Sequence, residues 1–376
     1  MLFVRRTKLH ATRMLIISID CLLMAAFSVG FSQPAVASFF AGESSMQQEL
    51  PMLTKQDESM SEDASETPAA NPQASELQSS GPRVGAWMYP DEPKAKQTLE
   101  KLGHIDTVKA EFMRIEDSGD IVTIEQAEDA PNGYSPENVA FLKEHTSEQY
   151  ITISGWNEGT EIAMANPRTR AAIVALAQKA DMNVELDWEG FGQWTPDYYA
   201  RFKTFIKQLG SALHAHDKKL IIDGPPINDE NSQNWYQWKY EELAPLVDGV
   251  VMMIYDNQYD TGVGNSIAPV EWSAQCLQWL KEKAGDKGIA GIAAYGYRGD
   301  RASGRMAVLP SDQITRSTRT LTKHRNADGE IVAQSGNTFY SYADKTTLNR
   351  RYQQVQKYDI PQLSVWSLGS NPWFSQ

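Results

Sequence analysis

The sequence predicts an α/β protein built as a (β/α)8 TIM barrel, with a small α+β insertion between its seventh and eighth strands. Two observations favour this fold. Short β-rich segments alternate with amphipathic helical stretches along residues 83–376, and such alternation is typical of a parallel sheet. Eight strands in about 290 residues match the size of one closed barrel. An open doubly wound sheet is the competing architecture, but no glycine-rich phosphate loop follows the first strand.

The eight strands are predicted from short runs rich in β-branched and aromatic residues. They cover residues 84–89, 107–113, 150–155, 184–189, 220–223, 250–255, 289–295 and 363–367. Two of the helices between them are especially clear, because residues 166–180 and 198–216 carry apolar side chains at helical spacing. Pro167 and Pro196 stand where each helix is predicted to begin, in the first turn.

The interval before the last strand is much longer than the others, so residues 298–344 are predicted to form the insertion. Its segment 326–329 reads Asn-Ala-Asp-Gly, which is typical of a tight turn. Residues 320–325 and 330–333 flank this turn. We therefore expect a small antiparallel flap within the insertion.

Residues 1–37 are predicted to be a signal peptide, with an N-terminal anchor as the alternative. Basic residues precede a mostly apolar run at 14–31, and Ala35-Val36-Ala37 is typical of a signal peptidase site. The run approaches the roughly 20 residues that a membrane helix needs. Residues 38–82 are rich in Ser, Gln, Glu, Ala and Pro, which predicts a disordered acidic linker. We therefore expect a secreted, periplasmic or envelope-associated protein, which contacts a membrane only if the leader stays uncleaved.

Charge and composition exclude several classes of partner. The formal net charge is −13, and the barrel segment alone is also acidic, so we expect no nucleic-acid partner. The six histidines are scattered, and His214 and His216 do not share a helix face. We therefore predict no metal and no other cofactor. Once the leader is removed, Cys276 remains as a single cysteine, which excludes an internal disulfide.

The fourth predicted strand alternates apolar and acidic residues. Strand side chains point alternately to opposite faces, so Glu185, Asp187 and Glu189 should share one face. Neighbouring carboxylates repel, so at least one should keep its proton well above the usual pKa of about 4. A neutral acid beside an ionised one is typical of acid–base catalysis. Taken alone, the pattern is also compatible with an acidic patch on an edge strand.

Acids and aromatic residues collect at the predicted carboxyl ends of the strands, where barrels of this kind carry out their chemistry. These residues are Tyr89, Trp156, Glu189, Asp223, Tyr255, Asp256, Tyr295, Tyr297 and Trp366. Aromatic faces stack on sugar rings, and carboxylates catalyse cleavage of the bond between sugars. Rim packing alone would explain some of the aromatic residues. Their concentration beside the acidic strand favours a carbohydrate groove.

Several of these motifs occur together in one known family. Residues 185–189, Glu-Leu-Asp-Trp-Glu, resemble a fourth-strand signature that ends in Asp-x-Asp-Trp-Glu, and residues 253–256, Met-Ile-Tyr-Asp, resemble a sixth-strand Met-x-Tyr-Asp. Trp366 stands where the eighth strand supplies a floor tryptophan. The family is glycoside hydrolase family 18, the chitinase-like barrels, and the resemblance covers residues 83–376. It looks closest to the bacterial branch of spore-cortex and cell-wall hydrolases.

The resemblance implies substrate-assisted cleavage, in which the sugar's own 2-acetamido oxygen attacks the anomeric carbon. Glu189 would be the general acid and later the base, Asp187 would hold the acetamido N–H, and Tyr255 would donate to the acetamido carbonyl. Glu185 would support Asp187, and Asp256 would bind the same sugar. Substrate-binding aromatic residues would be Trp366, Trp156, Tyr89, Tyr295 and Tyr297. The implied substrate is an N-acetylated polysaccharide or oligosaccharide with a β-linkage.

The sequence departs from the family pattern at two positions. Met182 stands where the signature usually begins with Asp, and Glu185 stands where the middle carboxylate is usually Asp. In the family this inner acid shares a proton or hydrogen bond with the next one, so an added methylene requires repacking of a crowded site. The terminal glutamate, which inactive members typically lack, is present as Glu189.

Three hypotheses about function remain open at this point. The first is an exported retaining glycosidase that cleaves N-acetylglucosamine-containing glycan of the peptidoglycan or chitin type, and the leader and linker favour an envelope substrate. The second is a non-catalytic, lectin-like barrel of the cell envelope. The third is an envelope scaffold whose insertion contacts a protein partner through its arginines at 298, 301, 305, 316 and 319. The same arginines are compatible with a solvated face or a rim that attracts anionic polymer.

Overall fold

The computed structural model describes residues 81–123 and 133–374. The predicted leader and almost all of the predicted linker lie outside these residues. The strands are β1 (Arg83–Met88), β2 (Ile105–Ile115), β3 (Ile121–Thr123), β4 (Thr146–Gly155), β5 (Asn183–Trp188), β6 (Leu220–Gly224), β7 (Gly249–Met253), β8 (Gly288–Ala293), β9 (Gly296–Asp300), β10 (Met306–Leu309), β11 (Lys323–Arg325), β12 (Ile331–Ser335), β13 (Thr338–Tyr342) and β14 (Gln362–Trp366).

The α-helices are α1 (Pro93–Leu102), α2 (Pro136–His145), α3 (Asn157–Ala165), α4 (Pro167–Ala180), α5 (Pro196–His214), α6 (Glu230–Tyr236), α7 (Tyr240–Leu243), α8 (Asn257–Thr261), α9 (Val270–Ala284), α10 (Ser311–Ser317) and α11 (Lys345–Lys357). Within the described ranges, no helix combines the length and the apolar character needed to cross a membrane.

Eight parallel strands close into a barrel with helices between them. The order around the ring is β1-β2-β4-β5-β6-β7-β8-β14, and the pairing of β14 with β1 completes it. The predicted (β/α)8 barrel is therefore confirmed, and each of the eight predicted strands overlaps a barrel strand. The short strand β3 adds antiparallel to the end of β2.

The alternation in β5 places its apolar residues against the surrounding helices. Trp188 is fully buried and stacks on Phe205 of α5, with ring centroids 5.0 Å apart. Burying such side chains stabilises the fold by roughly 2–3 kcal/mol each. The helix itself begins with Pro196 in its first turn, and the Thr195 hydroxyl accepts a hydrogen bond from the Tyr198 N–H at 3.1 Å. This packing turns the alternate residues of β5 toward the barrel interior.

Part of the barrel interior is filled by apolar and aromatic side chains. They are Trp87, Tyr150, Ile221, Val251 and Ile289, with Trp366 packed against them. Several of the acidic residues lie at or after the carboxyl ends of the strands, as Asp187, Glu189, Asp223 and Asp256 do.

Between β8 and β14 the chain forms a second, antiparallel sheet in the order β10-β9-β13-β12-β11. It has five strands where a two-stranded flap was predicted, and it begins at Gly296. The buried Glu330 carboxylate joins this sheet to α11, because its Oε1 lies 2.7 Å from an Arg351 guanidinium nitrogen. The same carboxylate accepts the backbone N–H groups of Ile267 and Ala268, each at 3.2 Å. These contacts hold the sheet beside the carboxyl end of the barrel.

Candidate active site

Acidic side chains from neighbouring barrel strands converge at the carboxyl end of the barrel. They are Glu111 on β2, Glu185 and Asp187 on β5, Glu189 directly after β5, Asp223 on β6 and Asp256 after β7. Backbone pairing aligns Glu111, Thr152 and Glu185 on three adjacent strands. Burial and mutual repulsion disfavour the charged forms of such acids, so this part of the barrel can hold protons at neutral pH.

Glu185 is the innermost acid and is fully buried. Its Oε1 lies 2.7 Å from the Lys109 ammonium nitrogen, which is also fully buried. Its Oε2 accepts hydrogen bonds from the Trp87 indole N–H at 3.0 Å and from the Thr152 hydroxyl at 2.5 Å. Both oxygens are therefore held by donors from β1, β2 and β4.

Asp187 lies one step nearer the opening of the barrel and is partly exposed. Its pKa is raised to about 7, first by burial and then by the Glu185 charge, with the Lys109 charge opposing both. Its Oδ1 has no hydrogen-bond partner within the described part of the chain. This oxygen is itself buried, so Asp187 has an acceptor that no described residue uses.

Glu189 is held by its backbone at the end of β5. Its N–H donates to the Gly155 carbonyl at 2.9 Å, and its own carbonyl accepts the Trp194 indole N–H at 3.3 Å. Gly190 follows with a φ of 89°, and a Cβ there would lie 2.1 Å from Asn157 Oδ1, so only glycine fits. Burial, then the charges of Asp187 and Asp256, raise the pKa of the Glu189 carboxyl well above its usual range. The backbone of Glu189 is thus fixed, and its carboxyl group favours the protonated form.

Tyr255 and Asp256 follow β7 on the opposite side of the opening. Asp256 adopts a left-handed φ of 66°, and its Oδ1 accepts the Tyr295 hydroxyl at 2.5 Å and the Gln258 amide at 3.0 Å. The Tyr255 ring packs edge-on against Tyr295, with centroids 6.1 Å apart. Burial, then the Asp187 charge, raise the pKa of Tyr255 well above its usual range. Tyr255 therefore keeps its O–H proton and is available as a donor.

Trp366 ends the last barrel strand and forms part of the floor of the opening. Its ring meets Trp87 edge-on at 5.8 Å and Tyr89 edge-on at 6.3 Å between centroids. The peptide bond between Trp366 and Ser367 is cis. Because Trp87 also donates to Glu185, the aromatic floor and the acidic cluster share one side chain.

The comparison with protein families accounts for this combination of acids and aromatic residues. The sequence model of the glycosyl hydrolases family 18 matches residues 85–371. The chain belongs to this family. Glycoside hydrolysis is therefore the chemistry that its family membership supports, and the predicted resemblance is confirmed.

Solved structures of chitinases and of a spore cortex-lytic enzyme share the barrel at low sequence identity. A class V chitinase from Pseudomonas fluorescens Pf-5 is 22% identical, with 77% of this chain and 96% of that chain covered and a TM-score of 0.63. The Bacillus cereus spore cortex-lytic enzyme SleL is 14% identical, with 76% and 71% covered and a TM-score of 0.63. A mutant of Ostrinia furnacalis Group II chitinase catalytic domain 2, in complex with penta-N-acetylchitooctaose, is 14% identical, with 76% and 90% covered and a TM-score of 0.60.

The remaining aromatic residues of this family 18 barrel differ in their access to the groove. Trp156 follows β4 directly and is partly exposed. Tyr295 is almost fully buried, and its hydroxyl binds Asp256. Tyr297 is fully buried in β9, and its hydroxyl donates to the Asn265 carbonyl at 2.7 Å and accepts the Gly264 N–H at 3.0 Å. The prediction that Tyr297 contacts sugar therefore disagrees with its position, since its side chain is buried in the apolar cluster that includes Ile267, Val332 and Phe339.

Sequence reasoning missed two residues of the cluster, Lys109 and Glu111. The predicted strand ends contained almost no base, yet the structure places Lys109 within 2.7 Å of Glu185. The signal was present in β2, where Thr107, Lys109 and Glu111 are polar at every second position of a strand expected to be buried. The pKa of Glu111 is raised well above its usual range, mainly by burial and then by the charges of Asp187, Glu185 and Glu189.

No group of three or more His, Cys, Asp or Glu residues within 81–123 and 133–374 has an arrangement that could hold a metal ion. Asp223, which is also almost fully buried, has its pKa raised well above the usual range, mainly by burial and then by the Glu185 charge. The acids of the site are therefore arranged to share protons and to bind neutral polar groups.

Proposed function

We propose that the protein is an exported retaining glycoside hydrolase that cleaves β-linked N-acetylglucosamine-containing glycan by substrate-assisted acid–base catalysis. One observation carries this proposal. Glu189, whose burial favours the protonated form, lies beside Asp187 with its unpartnered oxygen and opposite the Tyr255 hydroxyl. A proton donor, an acceptor and a neutral donor are the three groups that an acetamido-bearing sugar requires.

Glu189 acts first as the general acid. It transfers its proton to the glycosidic oxygen as the bond to the anomeric carbon breaks, and the ionised carboxylate then removes a proton from the attacking water. The raised pKa keeps the carboxyl protonated at neutral pH when the reaction begins. The fixed backbone at Gly155 and Gly190 holds it in place for both steps.

Asp187 and Tyr255 hold the reacting acetamido group. The Asp187 carboxylate accepts the acetamido N–H, and the Tyr255 hydroxyl donates to the acetamido carbonyl oxygen. That oxygen attacks the anomeric carbon and forms an oxazolinium-like intermediate, whose positive charge the Asp187 carboxylate balances. The acetamido oxygen attacks the α face, opposite the departing group, and water then attacks the β face, opposite the bond to the acetamido oxygen. The two inversions together retain the β-configuration. No enzyme carboxylate is needed as a nucleophile.

Aromatic contacts supply most of the apolar surface for the sugar. Trp366 is partly exposed above Trp87 and Tyr89 and offers a ring on which a pyranose can stack. The Ostrinia furnacalis chitinase complex with an N-acetylated oligosaccharide supports this class of ligand. Asp256, held by Tyr295 and Gln258, provides a further polar contact for the same sugar.

A cell-envelope glycan is the preferred substrate within this proposal. The likeness to a spore cortex-lytic enzyme and the predicted leader and acidic linker support it. The protein would then be secreted, periplasmic or envelope-associated. Chitin-type oligosaccharides are the competing substrate, supported by the chitinases of the same fold.

The substrate is tested by incubating the purified protein separately with chitooligosaccharides and with peptidoglycan sacculi. Release of soluble muropeptides would support the wall substrate, and the sugar at their reducing ends would identify the bond cleaved. Shortening of chitooligosaccharides alone would assign a chitin-type substrate. Binding to either glycan without any cleavage would contradict the proposal and favour the lectin-like alternative.

We expect a bell-shaped dependence of kcat/KM on pH. Asp187 must be ionised to balance the intermediate, so the rate should fall as pH drops through about 7, the pKa of its carboxyl. Glu189 must be protonated, so the rate should fall again at higher pH, where this carboxyl ionises. The measurement is hydrolysis of a fluorogenic N-acetylchitobioside between about pH 5 and pH 9. A flat profile across this range would contradict the assigned protonation states.

A further inference from the structure

Lys109 is a fully buried lysine within the barrel and has no role in the reaction described above. Its ammonium nitrogen lies 2.7 Å from Glu185 Oε1 and 4.1 Å from the centroid of the Trp87 ring. Both members of the ion pair have no exposed side-chain surface. Trp87 contacts the pair twice, since its ring lies beneath the ammonium group and its indole N–H binds the carboxylate.

An ion pair in this position is a poor source of stability. Removing two charges from water costs several kcal/mol per ion, and apolar residues of similar volume often stabilise a core equally well or better. The neighbouring interior layer is in fact apolar and aromatic. We therefore look for the role of this ion pair in its effect on the neighbouring acids and not in the stability of the fold.

The contacts of Glu185 select its ionised form. Its Oε2 accepts hydrogen bonds from the Trp87 indole and the Thr152 hydroxyl, and its Oε1 faces the Lys109 ammonium group. An indole N–H and an ammonium group donate only, so neither can accept a proton from Glu185. Charge-assisted contacts of this kind strongly favour a carboxylate over a carboxylic acid.

We propose that Lys109 is a positioning residue that keeps Glu185 ionised and thereby sets the charge beneath Asp187 and Glu189. This inference rests on the proposed function, because it concerns how the same site holds its protons. At position 185, where the family usually has aspartate, the longer glutamate forms this ion pair with Lys109 and also a hydrogen bond with Asp223.

The ionisable groups that interact with Glu185 come from four strands. They are Lys109 and Glu111 from β2, Tyr150 from β4, Asp187 from β5 and Asp223 from β6, in addition to the Trp87 and Thr152 donors. Burial raises the pKa of Glu111 and of Asp223 well above the usual range, and the Lys109 charge opposes both shifts. The carboxylate that lies in an ion pair with Lys109 is that of Glu185.

The ionisation of Glu185 can be followed directly. In protein labelled with 13C at the glutamate carboxyl carbons, the Glu185 signal is assigned by its loss in Glu185→Gln. At neutral pH we expect this carbon to have the chemical shift of a carboxylate in the wild type, and a shift displaced toward that of a carboxylic acid in Lys109→Met. The chemical shift of a carboxylic acid in the wild type, or an unchanged shift in Lys109→Met, would overturn the proposal.

The kinetic consequence has a defined sign. Glu185→Gln removes a negative charge and leaves Lys109 in place, so both limbs of the pH–rate profile should move to lower pH by about one unit or more. The double variant Lys109→Met/Glu185→Gln removes both charges, and its limbs should return toward the wild-type positions. If Lys109 had only a structural role, the variants would have a lower kcat or melting temperature. The limbs of their pH–rate profiles would then not move to lower pH in the single variant and back in the double variant. Identical limbs in all the proteins would refute the charge-setting role.

The two proposals fail in different ways. If the wild type cleaves no glycan, the proposed function fails, and the 13C chemical shift still decides whether Lys109 keeps Glu185 ionised. If Lys109→Met does not fold, the pH–rate profiles of Glu185→Gln and of the double variant still test the charge-setting role, because the double variant contains no uncompensated buried charge. The chemical shift of a carboxylic acid at Glu185 in the wild type would overturn the role of Lys109.

Discussion

Replacing Glu189 with glutamine should lower kcat by about 10²- to 10⁴-fold, the usual contribution of a general acid–base group. Glutamine has nearly the same shape but cannot transfer a proton to the glycosidic oxygen. Oligosaccharide binding should change little, because Trp366, Tyr255 and Asp256 supply the groove contacts and remain in place. The measurements are turnover of a fluorogenic N-acetylchitobioside and calorimetric binding of a longer oligosaccharide.

Glu158→Gln is the matched control for this variant. Glu158 is exposed in the first turn of α3, close to the end of β4, and lies outside the acidic cluster. It should retain wild-type turnover. If Glu189→Gln also retained wild-type turnover while remaining folded, Glu189 would not be the proton donor and the proposed mechanism would fail.

Replacing Asp187 with asparagine should lower kcat by about 10²- to 10³-fold, the cost of removing one electrostatic contact to a transition state. The same change should raise the melting temperature. The folded-state pKa of Asp187 is raised to about 7 by burial and by Glu185, whereas an unfolded aspartate ionises near 4. Its contribution to stability is therefore complete below about pH 4 and is lost as pH rises through about 7.

The gain in stability should depend on pH in the corresponding direction. Asparagine cannot ionise, so the melting temperature of the variant should exceed that of the wild type more at about pH 8 than at about pH 5. Asp217→Asn is the control, since Asp217 is exposed and its left-handed φ of 56° is one that asparagine tolerates. If the variant were less stable than the wild type at the higher pH, the ionised Asp187 carboxylate would not destabilise the fold as predicted.

Together, these two variants separate catalysis from folding at one strand. Glu189 and Asp187 lie on the same side of β5, and both are acids whose ionisation burial opposes. Functional sites often contain groups, such as these buried acids, that destabilise the folded state. Removing such groups commonly stabilises the fold. Loss of turnover with unchanged or increased stability is the result expected of catalytic residues. Loss of both would indicate structural ones.

Much of the fold could be predicted because strand periodicity is a local property. Alternation in residues 184–189 predicted that Glu185 and Asp187 share one face, and Trp188 does pack on the other face against Phe205 as the same alternation requires. The inserted sheet was predicted less completely. Its strands β9 and β13 are far apart in the sequence, and no local turn predicts that they pair.

The sequence by itself determined the barrel, the family and the strand that carries the acids. It did so because the side-chain period of a strand and the motifs at strand ends are properties of neighbouring residues. Tertiary structure alone decided that Lys109 forms an ion pair with Glu185 and that Tyr297 is buried in the inserted sheet. Periodicity states which face a side chain occupies. Which residue it meets across the barrel depends on the register and closure of the strands, and these are settled only when the whole sheet has formed.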